Sequence, residues 1–187
     1  MLKNCLILFF LCSARFLASA QDMQQQYLKY YFSEELGYQV DSISNPELYS
    51  TVVEWLSTHY RYGGKTRKGI DCSSFVSVVY NNAYNLSLSG SSGRMYSDDV
   101  IAVGKEDLKE GDLIFFKIRK KRISHVGVYL GKNKFAHATR MAGVIVSDLD
   151  DPYYRKYYFS GGRHKSLSSL YSSHAIAPDP CTEQHSD

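Results

Sequence analysis

Gly69-Ile70-Asp71-Cys72-Ser73-Ser74-Phe75-Val76 is the stretch on which the fold turns. From Cys72 onward the apolar side chains Phe75, Val76, Val79, Tyr80 and Ala83 recur at helical spacing, so residues 72–83 are expected to start an amphipathic helix. Asp71 stands just before it, in position to cap the first turn. The cysteine is thus placed at a helix N-terminus, where unpaired N–H groups carry partial positive charge and favour a thiolate. Far downstream, Ser124-His125-Val126-Gly127 and Phe135-Ala136-His137-Ala138 set two histidines in short β-like runs. Gly131-Lys132-Asn133 between them reads as a hairpin turn, and antiparallel pairing of the two runs would bring the rings side by side.

Around this stretch the chain divides into helices first and strands afterwards. Asn45-Pro46-Glu47 is a helix start, with a capping residue, proline at the first helical position and an acid in the first turn. Leu48, Val52, Trp55 and Leu56 carry that helix to about His59, and Tyr60-Arg61-Tyr62-Gly63-Gly64 breaks it. The cysteine helix is expected to end near Asn81-Asn82, and the Ser/Gly-rich residues 86–99 to form a loop long enough for a binding rim. Residues 112–118, 125–130, 134–139 and 144–148 read as strands, with Ala142-Gly143 as a further turn. Residues 153–159 read as another strand or a docked extension. The fold class expected is α+β, with N-terminal helices packed on an antiparallel β-sheet.

Residues 1–20 have the pattern of a secretory signal. Lys3 supplies the positive end, residues 6–11 the apolar run and Ala18-Ser19-Ala20 a small-x-small cleavage site. The run is too short for a permanent bilayer span, so no stable membrane insertion is expected. Cys12 follows Phe9-Phe10-Leu11 rather than the small residues of a lipidation site, so simple export, periplasmic or extracellular, is favoured over a lipid anchor. Residues 21–45 then form a polar, tyrosine-rich lead-in, helical or extended, 46–170 one folded domain and 171–187 a flexible tail. The chain carries 22 Lys+Arg against 19 Asp+Glu. Loss of Lys3 and Arg15 with the signal leaves it nearly neutral, without a nucleic-acid footprint. A monomer is the default expectation.

Of four cysteines, Cys5 and Cys12 lie in the signal, leaving Cys72 and Cys181. A bridge between those two would consume the thiol, so Cys72 is read as free and Cys181 is given no role. A working thiol needs a base, and the base needs a partner on its other ring nitrogen. His125 and His137 can fill those roles, which gives the layout of a papain-like cysteine hydrolase. Blander readings exist: a lone cysteine on an apolar helix face is usually core. A Cys-His-His trio could bind zinc, but no close ligand pair supports a metal, and no cofactor is implied. His59, His164, His174 and His185 read as solvent or core residues. The basic run at 117–122 reads as a solvated hairpin loop. Gly64-Lys65-Thr66 mimics the end of a phosphate loop whose first glycine is replaced by His59.

From about Trp55 to Arg163 these motifs resemble the NlpC-type cell-wall cysteine peptidases, a papain-like group. The resemblance rests on Tyr60-Arg61-Tyr62-Gly63-Gly64, the Gly69–Val76 stretch, Leu108-Lys109-Glu110-Gly111-Asp112-Leu113-Ile114-Phe115-Phe116, Ser124-His125-Val126-Gly127-Val128-Tyr129-Leu130-Gly131 and Phe135-Ala136-His137-Ala138, in that order. It implies Cys72 as nucleophile, His125 as general base and His137 as third polar residue. It further implies Tyr60 near the thiol, with Asp71 and Ser73 in substrate recognition. Ser74 departs from the family's usual small residue two places after the cysteine. The implied partners are peptidoglycan stem peptides, cut between γ-D-glutamate and meso-diaminopimelate or lysine. An N-acetylmuramoyl-L-alanine amidase, or a non-catalytic exported wall-binding protein, are the alternatives.

Overall fold

Capping chemistry sets the helices of the computed structural model, which describes residues 2–119 and 121–168. Helix α1 (Leu2–Leu36) runs through the segment read as a signal and into the lead-in. Among the described residues no helix is long and apolar enough to cross a membrane. Asn45 caps α2 (Pro46–Trp55), its side chain accepting from the N–H groups of Glu47 and Leu48, with Pro46 at the start. Asp71 caps α3 (Cys72–Tyr84), and Asn85 closes it in the left-handed conformation. A two-strand hairpin, β1 (Lys65–Thr66) with β2 (Gly69–Ile70), lies between those helices in sequence.

Six further strands form one sheet: β3 (Val100–Val103), β4 (Leu113–Phe116), β5 (His125–Gly131), β6 (Lys134–Thr139), β7 (Gly143–Asp148) and β8 (Tyr158–His164). Their order is β3-β8-β4-β5-β6-β7, and every neighbouring pair is antiparallel. The β5–β6 turn works as the sequence implies: Lys132 and Asn133 both take positive φ, 48° and 59°. That backbone matches the twist of a tight hairpin.

Alternation along the strands divides the core between two faces. Phe115, Val126, Val128, Ala136 and Ala138 face α2 and α3, packing with Val52, Phe75, Val76 and Val79. Ile114, Phe116, Tyr129 and Phe135 line the other face, where Tyr154, Tyr157 and Tyr158 pack against them. His125 and His137 belong by alternation to that second face, and their rings stack against Phe116 and Phe135.

Two expectations need correction. Residues 153–157 are helical, within α5 (Pro152–Tyr157), because Asp151 caps the Tyr153 N–H and Pro152 starts the turn; only from Tyr158 does the chain become strand. Residues 86–99 are not one open loop: a helical turn α4 (Ser92–Arg94) and a wide turn at Met95–Asp99 fold back, burying Ser92 and Met95. The tail from 171 and Cys181 lie outside the described residues.

Candidate active site

Cys72 opens α3 beside β5, where the paired ladder between β5 and β6 ends. Their register runs through Tyr129↔Phe135 and Val128↔Ala136. Toward the site, His125–Gly127 stay paired to β4 while His137 and Ala138 pair with Ile145 and Val144 of β7. The Val126 N–H then faces the Cys72 sulfur, joined by the N–H groups of Ser73 and of Cys72 itself. Cys72 is free and only 8% exposed.

The sequence leads one to expect a thiol drawn toward its anion. Instead burial pushes Cys72 up to about 11, with the Asp71 carboxylate adding to the rise, while those three N–H groups pull the other way. A helix N-terminus is local and legible; removal of water is a tertiary effect, and here it is the larger one.

The two histidines meet as anticipated. His125 Nε2 and His137 Nδ1 are 2.7 Å apart, and both side chains are buried. This leaves His125 Nδ1 for the side away from His137; the thiol's partner on β5 is the Val126 N–H rather than the imidazole ring. Burial lowers His125 to about 4. His137 is lowered as well, by burial and then by the neighbouring His125. Phe135, with ring centres 4.5 Å apart, and Tyr154, at 5.1 Å, enclose the His137 ring. Sequence reading missed what lies beyond it: His137 Nε2 is 2.9 Å from Ser147 Oγ. A serine on a half-exposed strand carries no signal that would single it out.

Asp71 does more than cap. One carboxylate oxygen accepts the Ser74 N–H at 2.8 Å and the Ser73 hydroxyl at 3.0 Å; the other accepts the Gly63 N–H at 2.9 Å. It therefore ties the loop after Tyr60 to the head of α3, and Ser73 is held through it. Tyr60 reaches the site by a β-bridge to Ile70. Ser57 and Thr58, just upstream, pair with Val144. Gly143 makes that pairing possible, since a Cβ there would lie 2.3 Å from the Thr58 carbonyl oxygen. The Tyr60 hydroxyl is raised by burial and by the nearby Cys72, and a hydrogen bond from Arg140 opposes the rise. Arg140, which sequence reading also passed over, lies 5.7 Å from the Tyr60 ring centre. Among the described residues no group of three or more His, Cys, Asp or Glu side chains is arranged to hold a metal ion.

A model of the NlpC/P60 family matches residues 57–163, which span the cysteine helix, both histidine strands and the Tyr60 loop. The chain belongs to the NlpC/P60 family. It is 38% identical over 116 residues to the probable endopeptidase NlpC homolog of Haemophilus influenzae, covering 62% of this chain and 61% of that protein. It is also 38% identical over 117 residues to the murein DD-endopeptidase MepS/murein LD-carboxypeptidase of Escherichia coli K12, covering 62% and 60%. The chain thus spans about three fifths of the length of these curated relatives. A crystal structure of an NlpC/P60 family protein from Bacillus cereus matches with a TM-score of 0.59 at 28% identity, over 67% of this chain and 42% of that one. The α+β, papain-like NlpC/P60 architecture is the one expected from the sequence.

Proposed function

We propose that this NlpC/P60 protein is an exported cysteine endopeptidase that hydrolyses amide bonds in peptidoglycan stem peptides, acting as a monomer. The observation that carries the reading is the buried His125–His137 pair at 2.7 Å, with the N–H of Val126, the residue after His125, bonded to the thiol at the head of α3. Burial opposes either charge alone, the thiolate or the imidazolium. Moving one proton from sulfur to His125 Nδ1 creates both charges together. Their attraction is about 4 kcal/mol at 4 Å for an effective dielectric near 20. The three N–H groups around the sulfur stabilise its anion further.

In the reaction the Cys72 sulfur attacks the amide carbonyl as its proton passes to His125. The developing oxyanion takes hydrogen bonds from the Cys72 backbone N–H and the Tyr60 hydroxyl. His125 gives that proton to the leaving amine, the C–N bond breaks, and an acyl-cysteine remains. Water, deprotonated by His125, then releases the acid and restores the thiol. His137 holds the His125 ring. Asp71, with Ser73 beside it, offers a carboxylate to the free amine of a trimmed stem.

Relatives named as NlpC endopeptidases and as a murein endopeptidase support the substrate class. The bond proposed is γ-D-glutamyl to meso-diaminopimelate or lysine. The Escherichia coli relative is named a murein DD-endopeptidase and murein LD-carboxypeptidase, which makes an internal D–D bond, or an L–D bond at a peptide's carboxyl end, the second reading. Mass spectrometry of purified muropeptides and of stem peptides freed of sugar, after incubation with wild type and Cys72→Ala, tests the proposal and names the bond. Wild type should produce new fragments and the variant none. Unchanged substrates with folded wild-type protein would mean a wall-binding protein without turnover, and release of intact stems from the glycan would mean an amidase.

A further inference from the structure

We propose that Ser147 is a positioning residue that selects the His137 tautomer able to support His125. The inference rests on the hydrolase reading for its catalytic consequence, but its structural half stands on the hydrogen-bond chain alone. His125 can take a proton from the thiol only at Nδ1, because Nε2 is engaged with His137 Nδ1 at 2.7 Å. Once His125 is an imidazolium both of its nitrogens donate. His137 Nδ1 must then accept, so His137 must carry its own proton on Nε2. That N–H points at Ser147 Oγ, 2.9 Å away.

The opposite arrangement is self-consistent only while His125 is neutral. There His137 would carry its proton on Nδ1 and donate it to His125 Nε2, which leaves the His125 proton on Nδ1, the nitrogen that would have to take the thiol's. In that state His125 is no base. An acceptor at Ser147 therefore favours the productive direction, and its absence leaves the His137 Nε2–H orphaned among Phe135 and Tyr154. The Tyr154 hydroxyl hydrogen-bonds Ser147 and completes the relay, accepting the proton that the serine no longer shares with His137.

Strand geometry makes the contact dependable. His137 pairs with Ile145 and Phe135 with Ser147, so Ser147 is the diagonal neighbour of His137 on the same sheet face. No loop movement is needed to bring them together.

The test is imidazole-nitrogen NMR with steady-state kinetics on wild type, Ser147→Ala and Ser147→Thr. Wild-type His137 should be protonated on Nε2, with Nδ1 showing the signal of an acceptor. In Ser147→Ala the His137 resonances should move toward a mixture of tautomers. Its kcat should fall roughly 10- to 100-fold, the cost of leaving the buried His137 Nε2–H without its acceptor in the state where His125 is charged. KM should stay within about 2-fold, as for an interaction made with the transition state. Ser147→Thr, which keeps the hydroxyl, should restore both tautomer and kcat. Wild-type His137 protonated on Nδ1 would overturn the inference, as would a Ser147→Ala enzyme that loses activity with its tautomer unmoved. A tautomer change in a protein whose wild type cuts no stem peptide would support the positioning role and sink the hydrolase reading instead.

Discussion

Gly127→Ala should damage both stability and turnover through one methyl group. Gly127 lies on β5 two residues beyond His125, on the same face, and opposite the stretch of β6 that carries His137. A Cβ built there would sit 2.7 Å from Phe135 Cδ2, 2.8 Å from the Ala136 carbonyl oxygen and 3.1 Å from His137 Cβ. None of these can yield cheaply. The Phe135 ring is packed against Phe116 and Tyr154, with centres 5.2 and 5.0 Å away. The Ala136 carbonyl belongs to a strand held in register with β7. The strands must therefore separate, and overpacking of this kind costs about 1–3 kcal/mol. At about 2–4 °C per kcal/mol for a domain of this size, the melting temperature should fall by roughly 2–12 °C. Separation also stretches the His125–His137 contact, and a misplacement of about 1 Å can cost on the order of 100-fold in rate. Calorimetry and muropeptide turnover would be compared with Gly93→Ala, where the new methyl meets nothing within 4 Å. A Gly127→Ala protein melting within about 1 °C of wild type, with kcat within about 2-fold, would refute this use of close packing.

Acid should unfold the protein through its histidines. His125 is depressed to about 4 and His137 in the same direction, so the fold holds them neutral while the unfolded chain takes up protons near pH 6.5. Stability is full above that value and falls as pH drops from about 6.5 toward 4, by about 1.4 kcal/mol per pH unit per histidine. Urea midpoints that do not move between pH 7 and 5 would contradict it. Asp112 receives the Arg163 fork at 3.0 and 2.7 Å, with the two side chains 4% and 13% exposed, and also caps the Lys109 N–H. Asp112→Ala should cost about 3 kcal/mol in equilibrium denaturation, and a loss under about 1 kcal/mol would count against a buried pair. Tyr60→Phe should lower kcat by about 100-fold with the fold intact by circular dichroism, if its hydroxyl serves the oxyanion. An unchanged kcat would leave that hydroxyl a structural partner of Arg140.

How much of this was legible depended on whether the cause was local. Asn45-Pro46-Glu47 and Asp71 announce helix starts because a cap needs only its own turn, and both helices begin where the residues say. His125 and His137 fall on adjacent strands because alternation and the Lys132-Asn133 turn fix their register. Residues 153–157 misled because tyrosines favour strands, while the Asp151-Pro152 start outweighs that preference. Strand β3 is short, and its partner β8 comes from far along the chain, so neither pairing is visible locally. The direction of the Cys72 shift, the Arg140 contact with Tyr60 and the Ser147 contact with His137 all depend on which segments exclude water or meet in space. No spacing rule encodes them.

The central claim is that His125 activates the Cys72 sulfur, and the rate of iodoacetamide alkylation at neutral pH, read on the Cys72 peptide by mass spectrometry, addresses it directly. A thiol held at about 11 by burial is ionised to roughly one part in 10⁴ at pH 7, so on its own it should react very slowly. With His125 able to take the proton, wild type should be alkylated at least about 100-fold faster than His125→Ala. Equal rates in the two proteins would contradict the claim.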